Sequence, residues 1–370
     1  MHSAEWCGQL AAPTPDHLDR LAASLYAAQS HWNFQPMAFE FIAILKRLSL
    51  ESLPLSNALT QATHELDWSL GLRHHAMLTG PIWGSAGYLV LAHHVLARAG
   101  DWAADYNAAL AHYRADHHMH SRMRPMPDLA ASAQSCEVPF WLDDLATGRR
   151  QRASVDRGSG NWILKAGTDS LELTPADDGW ESGERLGKFL REHALRLSPR
   201  ALTLTTFLRL LVVDQFVHGI GGAEYDQVAD HLIARHFSIE PPKLAVATAT
   251  QYFPTAIGRT RVCLPCMVAE LHRLRHGALG LAKEKHVAEI AALPRHSPQR
   301  GAMFMSMHRD LNDAIASSPS VADFQQKLAE ARVLHGEEQT LFDRELFYAM
   351  QPRGRLLELI GRCEEAVAGG

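Results

Sequence analysis

The sequence predicts a helix-rich α/β protein with a Rossmann-like core, a small antiparallel β element and a C-terminal antiparallel α-helical coiled-coil arm. Three observations predict it. Apolar residues recur three and four apart along most of the 370-residue chain. Between Glu137 and Thr174 the period shortens into runs rich in β-branched and aromatic residues. A glycine break at Gly219–Gly222 leads into a helical pattern, a Pro241–Pro242 stop and the alternating Leu244, Val246 and Thr248, the order of an αβ layer.

The elements follow in order. Residues 16–120 read as helices, with runs such as LDRLAASLYAA and AFEFIAILKRLSL, broken at Ser49–Pro54 and again at Leu78–Trp83 (LTGPIW). EVPFWLDD, RQRASV, NWILKAG and SLELT, split at Ala146–Gly148, Arg157–Gly160 and Gly167–Asp169, read as antiparallel strands joined by turns. Phe140, Trp141 and Trp162 are expected in the core of that sheet. Glu184 to Arg196 returns to helix, Ser198–Pro199 breaks it, and Ala201 to Val217 is a long apolar element. In the last third, Val268, Leu271, Leu274, Ala278 and Leu281 step at three and four. Phe304, Met307, Leu311 and Ile315 do the same, as do Phe324, Leu328, Ala331 and Leu334. Short polar connectors at Pro294–Arg300 and Ser317–Ser320 suit antiparallel neighbours. The methionines of Met303–Met307 read as helix packing, and Leu356 to Val367 as a final helix. This divides the chain into a core over 1–262, an arm over 263–350 and a terminal helix over 351–370 that returns to the core.

Composition limits the functions available. Lys plus Arg number 36 against 41 Asp plus Glu, a net charge of −5, which gives no electrostatic footprint for nucleic acid or an anionic membrane. With no long apolar span and no basic start followed by an apolar stretch, the expected address is the cytoplasm. Five cysteines, odd in number and scattered, do not form a disulfide framework.

Chemistry concentrates at Leu211–Tyr225, LVVDQFVHGIGGAEY. Gly219, Gly221 and Gly222 permit positive φ and close backbone approach. Val228, Leu232, Ile233 and Phe237 then carry a helix whose free N–H groups and positive end suit an anion. Asp214, His218, Glu224, Tyr225 and Asp226 crowd that start with acidic, basic and hydrogen-bonding groups. The same glycines would also serve a plain tight turn, since they match neither the dinucleotide fingerprint nor a P-loop.

The segment Leu197–Ala247 resembles the cysteine ligase family of bacillithiol biosynthesis (BshC). That family has a serine-proline turn, a long helix, a glycine break, a helix bearing a tyrosine and then a proline-rich strand. Phe216–Val217, Gly219, Gly221 and Tyr225 fall on the break and its helix. A shifted register assigns Glu224 to the glutamate that follows the family's glycines, where the ungapped register has Gly222. LTGPIW is similar to the family's F-T-G-P-L-Y segment, which adds Thr79 and Gly80 to the candidate ligand-binding residues. The resemblance implies a Rossmann-like core with an appended helical coiled coil. It also implies an enzyme that forms an amide between cysteine and the amino group of a sugar–malate conjugate, with ATP or ADP as the candidate cofactor. Thr203, Leu204 and Ala247 stand where the family has arginine-containing motifs, which implies another substrate.

Two further motifs carry chemistry. His112, Asp116 and His120 align at i, i+4 and i+8 if the segment is helical, a metal-binding pattern that still needs a ligand from elsewhere. It is equally the pattern of a solvated helix end. Arg114 and Arg122, with Asp116, form an alternative grip on a carboxylate ligand. Cys263-Leu-Pro-Cys266 has CxxC spacing, consistent with redox or metal chemistry but also with two ordinary thiols.

The leading expectation is an enzyme forming a carbon–nitrogen bond between an amino acid and a small metabolite, with His218 as general base and Glu224 or Asp226 orienting it. A metal-dependent hydrolase or lyase using the histidine cluster is the alternative, and a non-catalytic scaffold that dimerises through its helical arm is a third.

Overall fold

A computed structural model describes residues 10–29, 32–121, 123–177, 179–256, 262–343 and 345–369. The chain divides into two units, one drawn from Met1–Ala28 and Phe39–Ala249, the other from Gln29–Ala38 and Thr250–Gly370.

The first unit opens on α1 (Pro15–Gln29), α2 (Ala38–Ser49) and α3 (Leu55–Ser69). Their apolar stripes close on each other through Leu18, Ile42, Leu45, Leu48, Ala58 and Ala62, which gives this trio a core of its own. The short α4 (Thr79–Ile82) leads to α5 (Ala86–Ala97), buried on most sides, and α6 (Ala99–Asp116), which buries one face.

The four expected strands form as β1 (Ser135–Asp144), β2 (Arg149–Arg157), β3 (Trp162–Ala166) and β4 (Asp169–Leu173). Cys136, Val138, Phe140 and Leu142 of β1 join the main core with Tyr88, Trp102 and Tyr106. Trp141 is a correction to its assignment to the core. It points to the other face, half-buried, with the guanidinium groups of Arg200 and Arg150 5.1 and 5.8 Å from its ring centre.

A fifth strand, β5 (Leu195–Pro199), completes the antiparallel order β4-β3-β2-β1-β5. The helical reading ran on to Arg196, but α7 (Trp180–Glu192) ends earlier, because Ala194 adopts φ +51° and turns the chain back along β1. α7 lies close on α5 through two glycines. A Cβ on Gly187 would come within 2.6 Å of Leu89 Cδ1, and one on Gly183 within 3.0 Å of the Val90 backbone.

β5 also completes a charged cluster. The Asp143 carboxylate accepts from Arg150 Nε at 2.6 Å, Arg196 Nη2 at 3.0 Å and Ser198 Oγ at 2.5 Å. Burial pushes this carboxyl up, but hydrogen bonds from Arg150, Ser198 and Arg196 outweigh it and hold Asp143 below its usual range.

Next come α8 (Ala201–Leu211), β6 (Phe216–His218), α9 (Ile220–Phe237) and β7 (Leu244–Val246). The expected apolar element 201–217 is thus a helix and a strand. β6 and β7 pair in parallel across α9, a single βαβ unit, and parallel pairing among the described residues is confined to it. The protein is therefore helix-rich with a curled antiparallel sheet.

In the second unit, Trp32 and Phe34 pack on Phe253, and the Met37 N–H donates to the Gln351 carbonyl at 3.0 Å. The rest is helical: α10 (Leu264–Gly277), α11 (Leu281–Ala292), α12 (Pro298–Ser317), α13 (Pro319–Leu341) and α14 (Arg353–Ala368). Proline opens α12 and α13 and caps α14, where the missing N–H costs nothing. α10 packs with α13 and α11 with α12. Met307 is buried as expected, whereas Met305 of the same run is exposed. No helix among the described residues is long and apolar enough to cross a membrane.

Candidate functional site

The βαβ unit is held by a buried clamp. Arg209 of α8 donates to Asp226 Oδ2 at 2.8 Å, to Asp230 Oδ1 at 2.5 Å and to the Pro242 carbonyl, while Thr205 Oγ1 donates to Asp226 Oδ1 at 2.5 Å. Asp226 and Arg209 are both fully inside. Asp226 is therefore a correction: both its oxygens bond to α8 and tie the helices together, and among the described residues no hydrogen bond joins it to His218.

His218 ends β6, paired with Val246 of β7. Its imidazole lies against the backbone of Gly222, so that a Cβ added there would fall inside the ring. Phe216 and Tyr225 flank it, with ring centres 5.4 and 6.0 Å away. Among the described residues neither ring nitrogen has a hydrogen-bond partner.

The expected positive φ does not occur at any of the three glycines. Gly219 is the N-cap of α9 with φ −72°, and a Cβ on Gly219 or Gly221 would meet nothing within 4 Å. Only Gly222 is required, and its role is close approach. No side chain caps α9, so its first N–H groups stay available at an exposed turn.

The remaining candidates are dispersed. Glu224 is exposed, and its charge acts on Tyr113 of α6, whose hydroxyl is pushed up first by burial and then by Glu224. Asp214 is exposed in the bend before β6. Thr79 and Gly80 sit on α4, where a Cβ on Gly80 would lie 3.5 Å from Arg196 Nη1, beside the Asp143 cluster.

Arg114 is a further correction. It is buried and pins residues 124–128, donating to the Arg124 carbonyl at 2.9 Å, the Met126 carbonyl at 2.7 Å and Asp128 Oδ1 at 2.6 Å. It grips its own chain where a ligand was expected. Arg122 lies outside the described residues.

The histidine alignment is half right. His112 and Asp116 share a face of α6, with Nε2 and Oδ2 3.2 Å apart. His120 does not join them, because α6 ends at Asp116 and His118 turns the chain at φ +52°. The third group is His231 of α9, its ring 4.2 Å from that of His112. One ligand atom from each of His112, Asp116 and His231 lies within 4.8 Å of the other two. Sequence reasoning missed His231, although it sits between Val228 and Leu232, at the margin of the apolar stripe that faces the core.

The same reasoning missed an inner cluster where the end of α5 meets α6 and α9. Arg98 Nη1 donates to His94 Nδ1 at 3.1 Å, which puts the His94 proton on Nε2. That N–H meets His236 Nε2 at 3.1 Å, and His236 Nδ1–H then donates to Asp105 Oδ2 at 2.9 Å.

Cys263 and Cys266 are joined in a disulfide, so the reading of two ordinary thiols is corrected. α10 starts directly after Cys263, whose Sγ accepts from the Cys266 N–H at 3.3 Å. Clefts also lie elsewhere. One of about 600 Å³ is lined by Glu181, Glu184, Arg185, Lys188 and Arg191. Another, of about 510 Å³ in the second unit, gathers His272, Arg275, His276, His308 and Arg332.

Compared with known proteins, the chain matches no family model and no curated protein.

Proposed function

We propose that the β6–α9 turn is the active site of a cytoplasmic BshC-like enzyme that forms a carbon–nitrogen bond between an amino acid and a small metabolite. The observation that carries this reading is His218: a half-buried imidazole with unpartnered nitrogens, seated by Gly222 beside the uncapped start of α9. The helix start holds an anionic group of the substrate, and His218 withdraws the proton as the amine attacks. Tyr225 flanks the base. Joining a carboxylate to an amine also requires activation of the acyl group, for which ATP or a preactivated donor is the co-reactant.

The βαβ unit supports a Rossmann-like core of minimal extent, with the ligand at the carboxyl end of a parallel strand. In this reading α10 to α13 form the coiled-coil arm and a homodimer closes over it. Exposed Val268, Leu281, Phe304, Met305 and Val333 support that contact.

The test is incubation with amino acids, cysteine among them, with ATP and a panel of small amine and carboxylate metabolites, with mass spectrometry reading the amide product. His218→Ala is expected to lower turnover by about 10²–10⁴-fold at an unchanged melting temperature. Gly222→Val, which displaces the ring, is expected to do the same. Full specific activity in folded His218→Ala protein would end the assignment of His218 as base.

A further inference from the structure

Among the described residues no lysine or arginine pairs with the cluster His112, Asp116 and His231, in contrast to Asp143 and Asp226. Among the described residues, Asp116 pairs only with His112, and no lysine or arginine reaches it. The nearest arginine in sequence, Arg114, is committed to residues 124–128 on another side of the helix. His231 meets His112 ring to ring and forms no hydrogen bond among the described residues. Two imidazoles and a carboxylate thus converge with lone pairs unspent.

We infer that His112, Asp116 and His231 form a binding site for a divalent transition-metal ion of the zinc class. The donor set decides the class: two nitrogens and one oxygen suit zinc and its neighbours, whereas calcium and magnesium take oxygen ligands. The spacing is compatible. Ligands about 2.1 Å from a tetrahedral ion stand about 3.4 Å apart, and side-chain rotation closes the remainder from 4.8 Å. His112 and Asp116 are one helical turn apart on α6, so the ion adds α9 to a preformed pair. Three protein ligands leave a fourth position open at an exposed surface, the arrangement of a zinc that binds and acidifies water. His231 stands about 18 Å along α9 from Gly219 at the helical rise per residue, so this centre is separate from the β6–α9 turn and does not depend on the function proposed for it.

The experiment uses the full chain stripped of metal and titrated with Co²⁺ and Zn²⁺. One equivalent of Co²⁺ is expected to give a visible d–d spectrum of nitrogen and oxygen ligation without a thiolate charge-transfer band. Zn²⁺ is expected to displace it and raise the melting temperature. His112→Ala, Asp116→Asn and His231→Ala are each expected to weaken binding by at least about tenfold, since even outer partners of ligands contribute that much. His120→Ala, and a variant with Cys263 and Cys266 both changed to Ser, are expected to bind as the parent does. Absence of saturable Co²⁺ binding overturns the proposal. So does binding that survives His231→Ala, or binding that is lost with His120 or the cysteines.

Discussion

α6 and α9 run in opposite directions and meet at two histidine clusters, one closed with the help of His94 from α5 and one open. At the inner end, Arg98, His94, His236 and Asp105 form a continuous hydrogen-bonded chain, beside the buried Trp102. At the outer end, His112, Asp116 and His231 face each other with no such sequence of donors and acceptors. Both are made of the same residue types at similar spacing. The difference lies in whether an arginine starts the chain. Arg98 can only donate, and its hydrogen bond to His94 fixes the tautomer of His94 and then of His236. Among the described residues nothing equivalent fixes the outer imidazoles, so their nitrogens remain usable for an ion or a ligand. The contrast separates groups that hold the helices together from groups that are free for chemistry.

The largest effect should come from breaking the closed cluster. His236→Ala removes a nearly buried ring, leaves His94 Nε2–H without its acceptor and takes from Asp105 its imidazole donor. The lost packing and the unpaired group are together expected to cost about 2–4 kcal/mol of stability, read from chemical denaturation at constant m-value. A loss under about 0.5 kcal/mol, the range of ordinary surface changes, would mean that the inner chain contributes no more than an exposed pair.

The same distinction explains how much could be read beforehand. The four strands from Ser135 to Leu173 and the helices from Leu264 onward were legible, because alternation and three-four stepping carry the period of the strand and of the helix. β5 was not, since five residues following a helix carry too little pattern, and its partner β1 is far away in sequence. The turn at His218 was found from its glycines, but the reason for them was not. Gly222 makes room for an imidazole, a contact no spacing records. Clustering of ionisable residues drew attention to Asp226 and Arg114, and to His112 as an alternative. The first two proved saturated by α8 and by the carbonyls of residues 124 and 126, partners that only folding supplies.

An intermediate effect is expected from acid, because Asp143 is a closed cluster of another kind. Three donors hold its carboxyl below the usual range despite burial. A group whose folded pKa is depressed contributes stability above its unfolded pKa, and that contribution is lost as pH falls through the folded value. Denaturation midpoints of the parent should therefore fall as pH is lowered below the ordinary carboxylate range. The part of that fall due to Asp143 should be absent in Asp143→Asn, which starts less stable at neutral pH. Parallel pH profiles for the two proteins would show that Asp143 is not coupled to folding through its charge.

The smallest effect on stability is expected at the open cluster. His112 is more than half exposed, it sits in the last turns of α6, and its single polar contact is the 3.2 Å approach to Asp116 on the same helix. An exposed pair of this spacing on a helix contributes about 0.3–0.5 kcal/mol. Alanine returns part of that through its higher helix propensity. His112→Ala in metal-free protein should therefore change the unfolding free energy by no more than about 0.5 kcal/mol, the range of ordinary surface substitutions. A loss as large as that of His236→Ala would mean that the outer imidazoles bind the helices together as the inner ones do, and the contrast between the two clusters would fail. A near-zero loss without metal, combined with a destabilisation that appears only when Zn²⁺ is present, would mark His112 as a residue kept for what it binds.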